Sequence, residues 1–376
     1  MEKKEAIALV ERMVKLTDPR VIGRCDHDLV DIVVLSLCAV MCGAEGWDDI
    51  EEWGKEKEEW LRQYLKLRNG IAGHDTIRRV FEVISPQELE TQFAEWAQEM
   101  CGTPVARIIA IDGKSLRGSG SVTRGTRAIH MVSAYAAEYG LTLGQRACEE
   151  KSNEITAIKE LLPSLQLKGA VVTIDAMGCQ TAIAQQVIDG KGDYVLAVKD
   201  NQPTLAEEIR HLFDGMNQAQ CSVHETADKG HGRLEIRRCT AVSAEKLDAM
   251  GVRTRWTKLN SVARIESERE CKGKLETDVR YVISSLPPDA SSILHAVRTH
   301  WGIENGLHWC LDVTFREDAS QISLRNAAKN FSFLRRSAIN LFRADSSRKC
   351  SLPKKRKAAA WNHEYLAQVL GLKKRW

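Results

Sequence analysis

The sequence lacks an apolar run long enough to cross a membrane. The best candidate, residues 29–42, falls short of the ~20 residues that a bilayer requires and contains Asp31. The N-terminal segment MEKKEAIALVERMVK is charged throughout, without the apolar stretch of a secretory signal. We therefore expect a cytoplasmic protein with no membrane partner.

Paired cysteines are also missing. The 11 cysteines are an odd number, scattered with no CxxC pair, which is typical of reduced thiols and not of a disulfide framework or zinc ribbon. Internal repeats are absent as well. Apolar residues make up 43% of the chain, so a sizeable core can form and a disordered or collagen-like chain is excluded.

Net charge is small but unevenly distributed. The chain carries +3 overall, whereas residues 343–376 hold ten Lys or Arg and two acids, a net +8 that leaves −5 for the rest. A basic segment on an acidic body suggests an anionic polymer as partner. A solvated, frayed terminus would have the same composition, and charge alone does not separate the two interpretations.

Apolar spacing divides the chain into a helical and a mixed part. Residues 1–101 show helical periodicity. Short apolar runs and predicted helices then follow in the order β-β-β-α-β-α-β over residues 105–198, which predicts a mixed sheet with buried central strands. Residues 221–284 are strand-rich, and helices are predicted at residues 291–311 and 324–342.

Two of the buried strands end in an aspartate. Asp112 closes the run IIAIDG, and Asp175 lies in VVTIDAMG. If these strands are neighbours, both carboxylates lie in the crevice at the carboxyl edge of the sheet. Two carboxylates so close are best explained by a shared cation. Each aspartate taken alone is more simply explained as the start of a turn or a helix cap.

A third acid, Glu304, is flanked by two histidines. His300 and His308 lie four residues to either side of it, on the same helix face. This pattern indicates either a metal-binding carboxylate or an ordinary surface stripe of ion pairs. Zinc ranks below magnesium because the sequence has neither HExxH nor a nearby cysteine pair. Asp200, after the third run, is a further candidate ligand.

With these motifs, the sequence resembles the DDE transposases of the group that includes the H-repeat-associated proteins. The resemblance covers nearly the whole chain. It comprises a helical leader, LVDIVVLSLCAVMCGAEGWDDIEEWG with GHDTIRRVF, and four further motifs, IDGKSLRGS, TIDAMGCQ, HGRLEIRR and HWGIENGLHWCLDVTFREDAS. It implies that Asp112, Asp175 and Glu304 are the catalytic residues and the metal ligands.

The resemblance also implies a fold and a domain division. The fold class is α/β: an RNase H-like catalytic core, a mixed sheet flanked by helices, with a β-rich insertion and an all-helical N-terminal domain. We expect the helical domain at residues 1–101 and the catalytic domain at residues 102–345, with its insertion at about 215–286. A basic C-terminal tail would occupy residues 346–376.

The implied activity is cleavage and joining of DNA at the ends of an insertion sequence. The cofactor would be Mg²⁺, with Mn²⁺ able to substitute, and two ions would act together. Double-stranded DNA, as terminal repeats and as target, would be the partner of a homodimer formed on DNA. Six side chains are predicted either to contact phosphates or to be ordinary surface groups: Lys114, Arg117, Lys199, Arg233, His300 and His308. In the leader, Arg78 and Arg79 could reach a groove, unless the leader only packs or dimerises.

The chain departs from the pattern of related transposases at three positions. Their Tyr-Arg-Glu-Lys signature has an Arg where this chain has His300 and a Lys where it has Leu311, and Asp200 replaces an expected Gly. A rival interpretation is therefore a decaying or domesticated remnant that binds element ends without cutting. The three intact acids favour the enzyme.

Overall fold

The N-terminal region is helical, as its apolar spacing predicts. The computed structural model describes residues 9–21, 23–101, 107–120, 125, 127–148, 153–216, 221–230, 233–250, 253–271 and 274–374. The first helices are α1 (Leu9–Met13), α2 (Leu29–Cys42), α3 (Trp47–Glu56), α4 (Glu58–Leu61), α5 (His74–Val83) and α6 (Pro86–Cys101).

Helix α2 is the central helix of this region. Nearly all of its side chains are buried, as expected of a helix that is apolar on every side. In the described part of the chain, no single helix has the length and apolar character to span a bilayer; α2 and α3 do so only when taken together, and they meet at 94°.

A single mixed sheet forms the centre of the molecule. Its strands are β1 (Arg107–Leu116), β2 (Ile129–Ala136), β3 (Leu141–Ala147), β4 (Ala170–Ile174), β5 (Asp193–Val198), β6 (Ser222–Gly230), β7 (Arg233–Ser243), β8 (Ser261–Cys271) and β9 (Lys274–Ser284). They lie in the order β3-β2-β1-β4-β5-β9-β8-β7-β6. Strand β4 runs parallel to β1 and β5, so the predicted mixed sheet with buried central strands is confirmed.

The β-rich insertion extends this sheet. Strand β9 pairs antiparallel with β5, Val198 lying opposite Tyr281, and β8, β7 and β6 follow outward. The sequence predicted the strands of the insertion but not their attachment to the central sheet. The insertion is therefore hydrogen-bonded directly to the strand that follows the Asp175 strand.

Helices cover both faces of the sheet. Helices α7 (Glu154–Leu161), α8 (Thr181–Asp189) and α9 (Pro203–Asp214) pack on one face, with Ile109 and Ile111 of β1. Helix α10 (Ala290–His300) packs on the other face, with Ile108. Since side chains alternate along a strand, Asp112 lies on the same face as Ile108 and α10.

The basic C-terminal segment is folded. After α11 (Arg325–Ala344) come α12 (Leu352–Trp361) and α13 (His363–Leu370), and α12 packs on α2. Tyr365 and Leu366 are buried in the same core as the N-terminal helices. The alternative of a solvated, frayed terminus is therefore wrong for these helices, because their apolar faces are covered.

Two of the basic side chains in this segment are structural. Lys355 is buried and donates to the backbone carbonyl oxygen of Phe342 at 2.6 Å. Arg356 donates to the carbonyl oxygen of Val40 at 3.2 Å and lies 4.5 Å from the ring centre of Phe315. These two charges are thus engaged inside the protein, and they are not part of a free basic tail.

Candidate active site

Asp112 lies within β1, not at its end. Beyond Asp112 the strand continues to Leu116 by pairing with β2, where Asp112 lies opposite Ser133. On its other side the parallel partner β4 stops one residue earlier, at the pair Ile111 and Ile174. The carboxylate therefore faces the gap that opens where β4 ends.

Asp175 is the first residue after β4. Its position follows directly from the register, since the preceding pair places it beside Asp112 on the neighbouring strand, and neighbouring strands are about 4.8 Å apart. Its Oδ1 accepts hydrogen bonds from the backbone N–H groups of Met177 (3.0 Å) and Gly178 (3.4 Å). Asp175 thus caps a short turn with one oxygen, and the cap fixes the orientation of the other.

Glu304 begins an unusual helical segment. After α10 the chain forms two π-helical turns, Glu304–His308 and Cys310–Thr314, a geometry that is rare and frequent at functional sites. The Glu304 side chain is half exposed. The first turn brings His308 Nδ1 to 3.5 Å from Glu304 Oε2 and 3.7 Å from Asp112 Oδ2. The sequence predicted a helix here but not its five-residue turns.

The strand, the π-helical turn and the histidine form one cluster. One ligand atom each from Asp112, Glu304 and His308 can be chosen so that all lie within 4.8 Å of one another. Three donors at such spacing can hold one cation. Asp175 is not one of these three donors; it follows β4 on the neighbouring strand, raises the pKa of Asp112 by its charge, and lines the cavity between the sheet and α10.

A second pair beside the aspartates was not predicted from the sequence. Glu154, at the start of α7, lies with Oε2 3.1 Å from Nε2 of His130 on β2. A Cβ atom on Gly113 would collide with both side chains, so glycine at this position permits their close approach. The only local signal was Asn153, which caps α7 by accepting from Thr156 N and so places Glu154 in the first turn.

Burial and mutual repulsion disfavour negative charge at this edge. Burial raises the pKa of Asp112 to about 7, and the charges of Glu304, Asp175 and Glu154 add to the effect. Burial also raises the pKa of Asp175; Glu154 adds to that shift, and Lys199 opposes it. A bound cation would reverse this repulsion, because it stabilises the charged carboxylates.

Lys114 does not occupy the predicted phosphate-contact role. Its Nζ lies 2.8 Å from Asp312 Oδ1 and 2.7 Å from Asp318 Oδ1, and the side chain is only 9% exposed. Both partners belong to the segment that follows Glu304, so Lys114 ties β1 to that segment. Arg117, in contrast, is 81% exposed, with its Nε 3.3 Å from Asp318 Oδ2.

His300 and His308 are also poor candidates for phosphate contacts. Burial lowers the pKa of His300 to about 4 and that of His308 to about 3. His300 instead shares a 3.0 Å hydrogen bond, through Nδ1, with Thr173 Oγ1. Both rings are therefore buried and neutral near pH 7, which corrects the prediction that they are phosphate contacts or surface groups.

The remaining predicted residues lie at the surface or beyond description. Lys199 is exposed at the end of β5, close enough to affect the pKa of Asp175. Asp200 is fully exposed, with Oδ1 3.8 Å from Arg210 Nη2, and does not join the acidic cluster. The backbone of Arg233 starts β7, whereas its side chain falls outside the described residues.

Comparisons with known proteins identify the family. Residues 103–341 match the family model "Transposase DDE domain", and residues 10–97 match the "DDE_Tnp_1-associated" model. The chain belongs to the DDE transposases. The first of these matches runs from just before β1 into α11, so it contains the acidic cluster. The fold is accordingly an RNase H-like DDE core carrying a helical N-terminal region.

Relatives in Escherichia coli narrow the group. The "H repeat-associated putative transposase YhhI" of strain K12 is 40% identical over 96% of this chain and 97% of its own length. The "Putative transposase YncI" of strain O157:H7 is 41% identical over 96% of this chain and 94% of its own. A shorter relative, "Inactive transposase YbfQ" of K12, is 46% identical over 19% of this chain. This DDE transposase is thus one of the H-repeat-associated group, a DNA transposase of the nuclease and strand-transferase class that uses divalent metal and acts on DNA.

Proposed function

We propose that this transposase cleaves DNA at the ends of an insertion sequence and transfers the freed strand to target DNA, with Mg²⁺ as cofactor and Mn²⁺ as a substitute. The observation that carries the proposal is the cluster of Asp112 with Glu304 and His308, beside which Asp175 follows the neighbouring strand. Asp112 and Asp175 follow a pair of residues in register on neighbouring strands. Glu304 reaches Asp112 from the π-helical turn, with ligand atoms of the two side chains within 4.8 Å of each other.

The donor set suits divalent cations of this kind. Carboxylate oxygens are the ligands that Mg²⁺ and Mn²⁺ prefer. The raised pKa of Asp112 gives a reason for a cation to bind there, because burial and three neighbouring acids leave its charge poorly stabilised. When bound, the ions supply a polarised nucleophile and charge stabilisation for the leaving oxygen. Asp112 would be a ligand of both ions, and Asp175 and Glu304 of one each.

Surrounding residues position these ligands. The two N–H groups of the turn both donate to Oδ1 of Asp175, so Oδ2 would be the atom that binds the metal. Lys114 holds the segment after Glu304 against β1 through two ion pairs. Lys199 is exposed, and its charge lowers the pKa of Asp175. Lys199 and Arg117 therefore remain our candidates for contact with a phosphate near the reacting centre.

The wider assembly follows from the same proposal. Element ends and target DNA would both be bound as duplexes, by a homodimer that forms on DNA. Residues 1–101 would contribute to end recognition, and residues 102–345 would carry the chemistry. In the leader, Arg79 is exposed, whereas Arg78 already pairs with Asp75 and Glu82 at 3.1 and 2.5 Å. Arg79 is therefore the better candidate for a DNA contact.

Replacement of Glu304 by Gln tests the proposal. The change keeps size and removes the charge that a metal requires, and half of the side chain is exposed, so the fold should persist. Cleavage of a labelled duplex carrying the element's own end should fall by at least ~10³ as metal stabilisation of several kcal/mol is lost. DNA affinity should stay near normal, because basic groups elsewhere supply the positioning contacts.

Asp200→Asn is the matched control. It removes a carboxylate from the end of β5 that is fully exposed and outside the cluster, so cleavage should be unchanged. If Glu304→Gln cleaves as well as the parent, Glu304 is a helix-surface acid and the triad fails at its third position. If the parent binds element ends but cleaves none with Mg²⁺ or Mn²⁺, the chain is a DNA-binding remnant.

A further inference from the structure

His308 is a buried side chain whose two ring nitrogens make no hydrogen bond of normal length with the described residues. It is only 5% exposed, with Leu307 and Cys310 of the same segment buried beside it. Its Nε2 is buried and, among the described residues, has no hydrogen-bond partner. Burying an unpaired ring nitrogen costs stability, so a hydrophobic residue would pack there at lower cost. The position of its other nitrogen offers a reason for a histidine.

Nδ1 of His308 points between two carboxylates at distances unsuited to hydrogen bonds. It is 3.5 Å from Glu304 Oε2 and 3.7 Å from Asp112 Oδ2, beyond the 2.7–3.2 Å usual for N–H···O. Two ligands of one cation, each at about 2.1 Å from it, are about 3.0 Å apart at a right angle and about 3.6 Å apart at 120°. Both observed distances fall in or near that range.

We propose that Nδ1 of His308 is a direct ligand of the cation that Asp112 and Glu304 share. The inference rests on the proposed function in that it takes the metal site to be the acidic cluster. It goes further by adding a nitrogen donor to an otherwise all-oxygen set. His308 thereby changes from a candidate DNA contact to a metal ligand.

A nitrogen donor changes which ion the site prefers. Mg²⁺ favours oxygen ligands and keeps several waters, whereas imidazole binds first-row transition metals well. The site should therefore bind Mn²⁺ more tightly than Mg²⁺, and His308 should supply much of the difference. Replacing His308 should lower the affinity for Mn²⁺ by at least ~10-fold and the affinity for Mg²⁺ by less. The ratio of the two affinities should therefore decrease.

Pulsed electron paramagnetic resonance of Mn²⁺ bound to the full-length protein tests the ligand directly. A histidine nitrogen bonded to Mn²⁺ modulates the spin echo at ¹⁴N frequencies, and growth with ¹⁵N-histidine should replace them by ¹⁵N frequencies. This measurement needs neither DNA nor activity. Mn²⁺ affinity, and Mg²⁺ affinity by competition, are measured on the same samples by titration.

Three asparagine variants identify the histidine. His308→Asn should lose the nitrogen coupling. His300→Asn should keep it, since His300 is equally buried but hydrogen-bonded to Thr173. His130→Asn should also keep it, because its Nε2 is paired with Glu154. If His308→Asn does not fold, coupling retained in the other two variants excludes the two histidines nearest the cluster and leaves His308 as its histidine among the described residues.

Asp112→Asn separates this inference from the proposed function. If Asp112→Asn abolishes Mn²⁺ binding but the parent shows no histidine coupling, the metal site stands and His308 is not a ligand. Coupling that survives in His308→Asn overturns the inference in the same way. If Mn²⁺ binds equally well to Asp112→Asn, the acidic cluster is not the metal site and the proposed function loses its support.

Discussion

Among single residues, Asp112 is the one whose buried position most strongly opposes its negative charge. It is largely buried on a central strand and within electrostatic reach of three other acids. A carboxylate in that setting binds a proton more readily than one in water. The same features that would draw a cation to Asp112 therefore destabilise the metal-free protein when the group is ionised.

The pH dependence of stability in the metal-free protein follows from this shift. The pKa of Asp112 rises from its ordinary value near 3.8 to about 7 on folding, so the folded state binds more protons between these values. Through this group the free energy of unfolding should fall as pH rises from about 4 to about 7, and then level off. Asp112→Asn should flatten the fall and raise the melting temperature at pH 8 by a few degrees.

Thermal melts in EDTA at pH 5 and pH 8 check this expectation. The melting temperature of Asp112→Asn should exceed that of the parent at pH 8 but not at pH 5. Added Mn²⁺ should restore the parent at pH 8 and leave the variant unchanged. An identical pH response in both proteins would contradict the raised pKa.

Lys114 offers a second test at this scale, because its predicted and observed roles differ. As a tie between β1 and the segment after Glu304, its loss should cost about 1–3 kcal/mol of stability, since Asp312 and Asp318 lose their shared cation. Lys114→Met should therefore lower the urea midpoint and leave the salt dependence of DNA binding unchanged. The opposite result, a salt slope reduced by about one at constant stability, would restore the phosphate contact.

At the scale of elements, local pattern predicted most strands well. Strands β4 and β5 lie where the predicted order over residues 105–198 places its last two strands, because short buried runs carry a strong apolar signal. The attachment of the insertion to β5 was not predictable. It depends on pairing of β5 with β9, in which Val198 lies opposite Tyr281, and these residues are far apart in sequence with no local pattern that links them.

The candidate site was predictable only in the three acids of its motifs. Asp112, Asp175 and Glu304 stand in motifs, whereas Glu154 and His130 meet through packing of α7 against β2. His308 was expected to share a helix face with His300. The π-helical turns instead set it against Asp112, while His300 hydrogen-bonds Thr173 on β4. A five-residue turn leaves no periodic trace in so short a segment.

Helix α12 presents two of the exposed lysines of the basic segment. Lys354, Lys357 and Trp361 lie on one helix face by their spacing, and all three are exposed, Trp361 by 79%. Lys354→Gln with Lys357→Gln should lower the slope of log affinity against log salt by up to about two, about one per lost phosphate contact. Stability should not change, because neither side chain is buried.

Fluorescence anisotropy with a labelled duplex at several salt concentrations gives this slope. Lys373→Gln provides a comparison in the same segment, since Lys373 is exposed but has its Nζ 2.9 Å from Glu11 Oε1. Its effect on the slope should be smaller. An unchanged slope in the double variant would show that α12 is not a DNA-binding face.

At the scale of the whole molecule, the helical region is built from both ends of the chain. One core contains Leu35 of α2, Phe93 of α6, Phe331 of α11 and Leu366 of α13. The same core includes Leu307, next to His308. The packing that supports the acidic cluster is therefore continuous with the helical region, although the sequence suggested three consecutive units.

Truncation at residue 345 tests this shared core. Deletion of residues 346–376 removes Tyr365, Leu366 and Leu370 and uncovers one side of α2. Each buried leucine contributes about 1.5–3 kcal/mol, so the loss is a large part of the 5–15 kcal/mol typical of a folded domain. We expect a strongly lowered or uncooperative urea transition by circular dichroism. A truncated protein with normal stability and only weaker DNA binding would contradict this account.

Because α11 and α12 cover α2, the order of synthesis determines when the core around α2 can be completed. Helix α2 ends at Cys42, whereas α11 begins at Arg325, so a ribosome adding ~5–20 residues per second makes the partner roughly 15–60 s later. During that interval the apolar α2 has no cover from the C-terminal helices. The nascent chain therefore exposes this apolar helix for longer than most, and its helical region is completed only after α11 and α12 have been made.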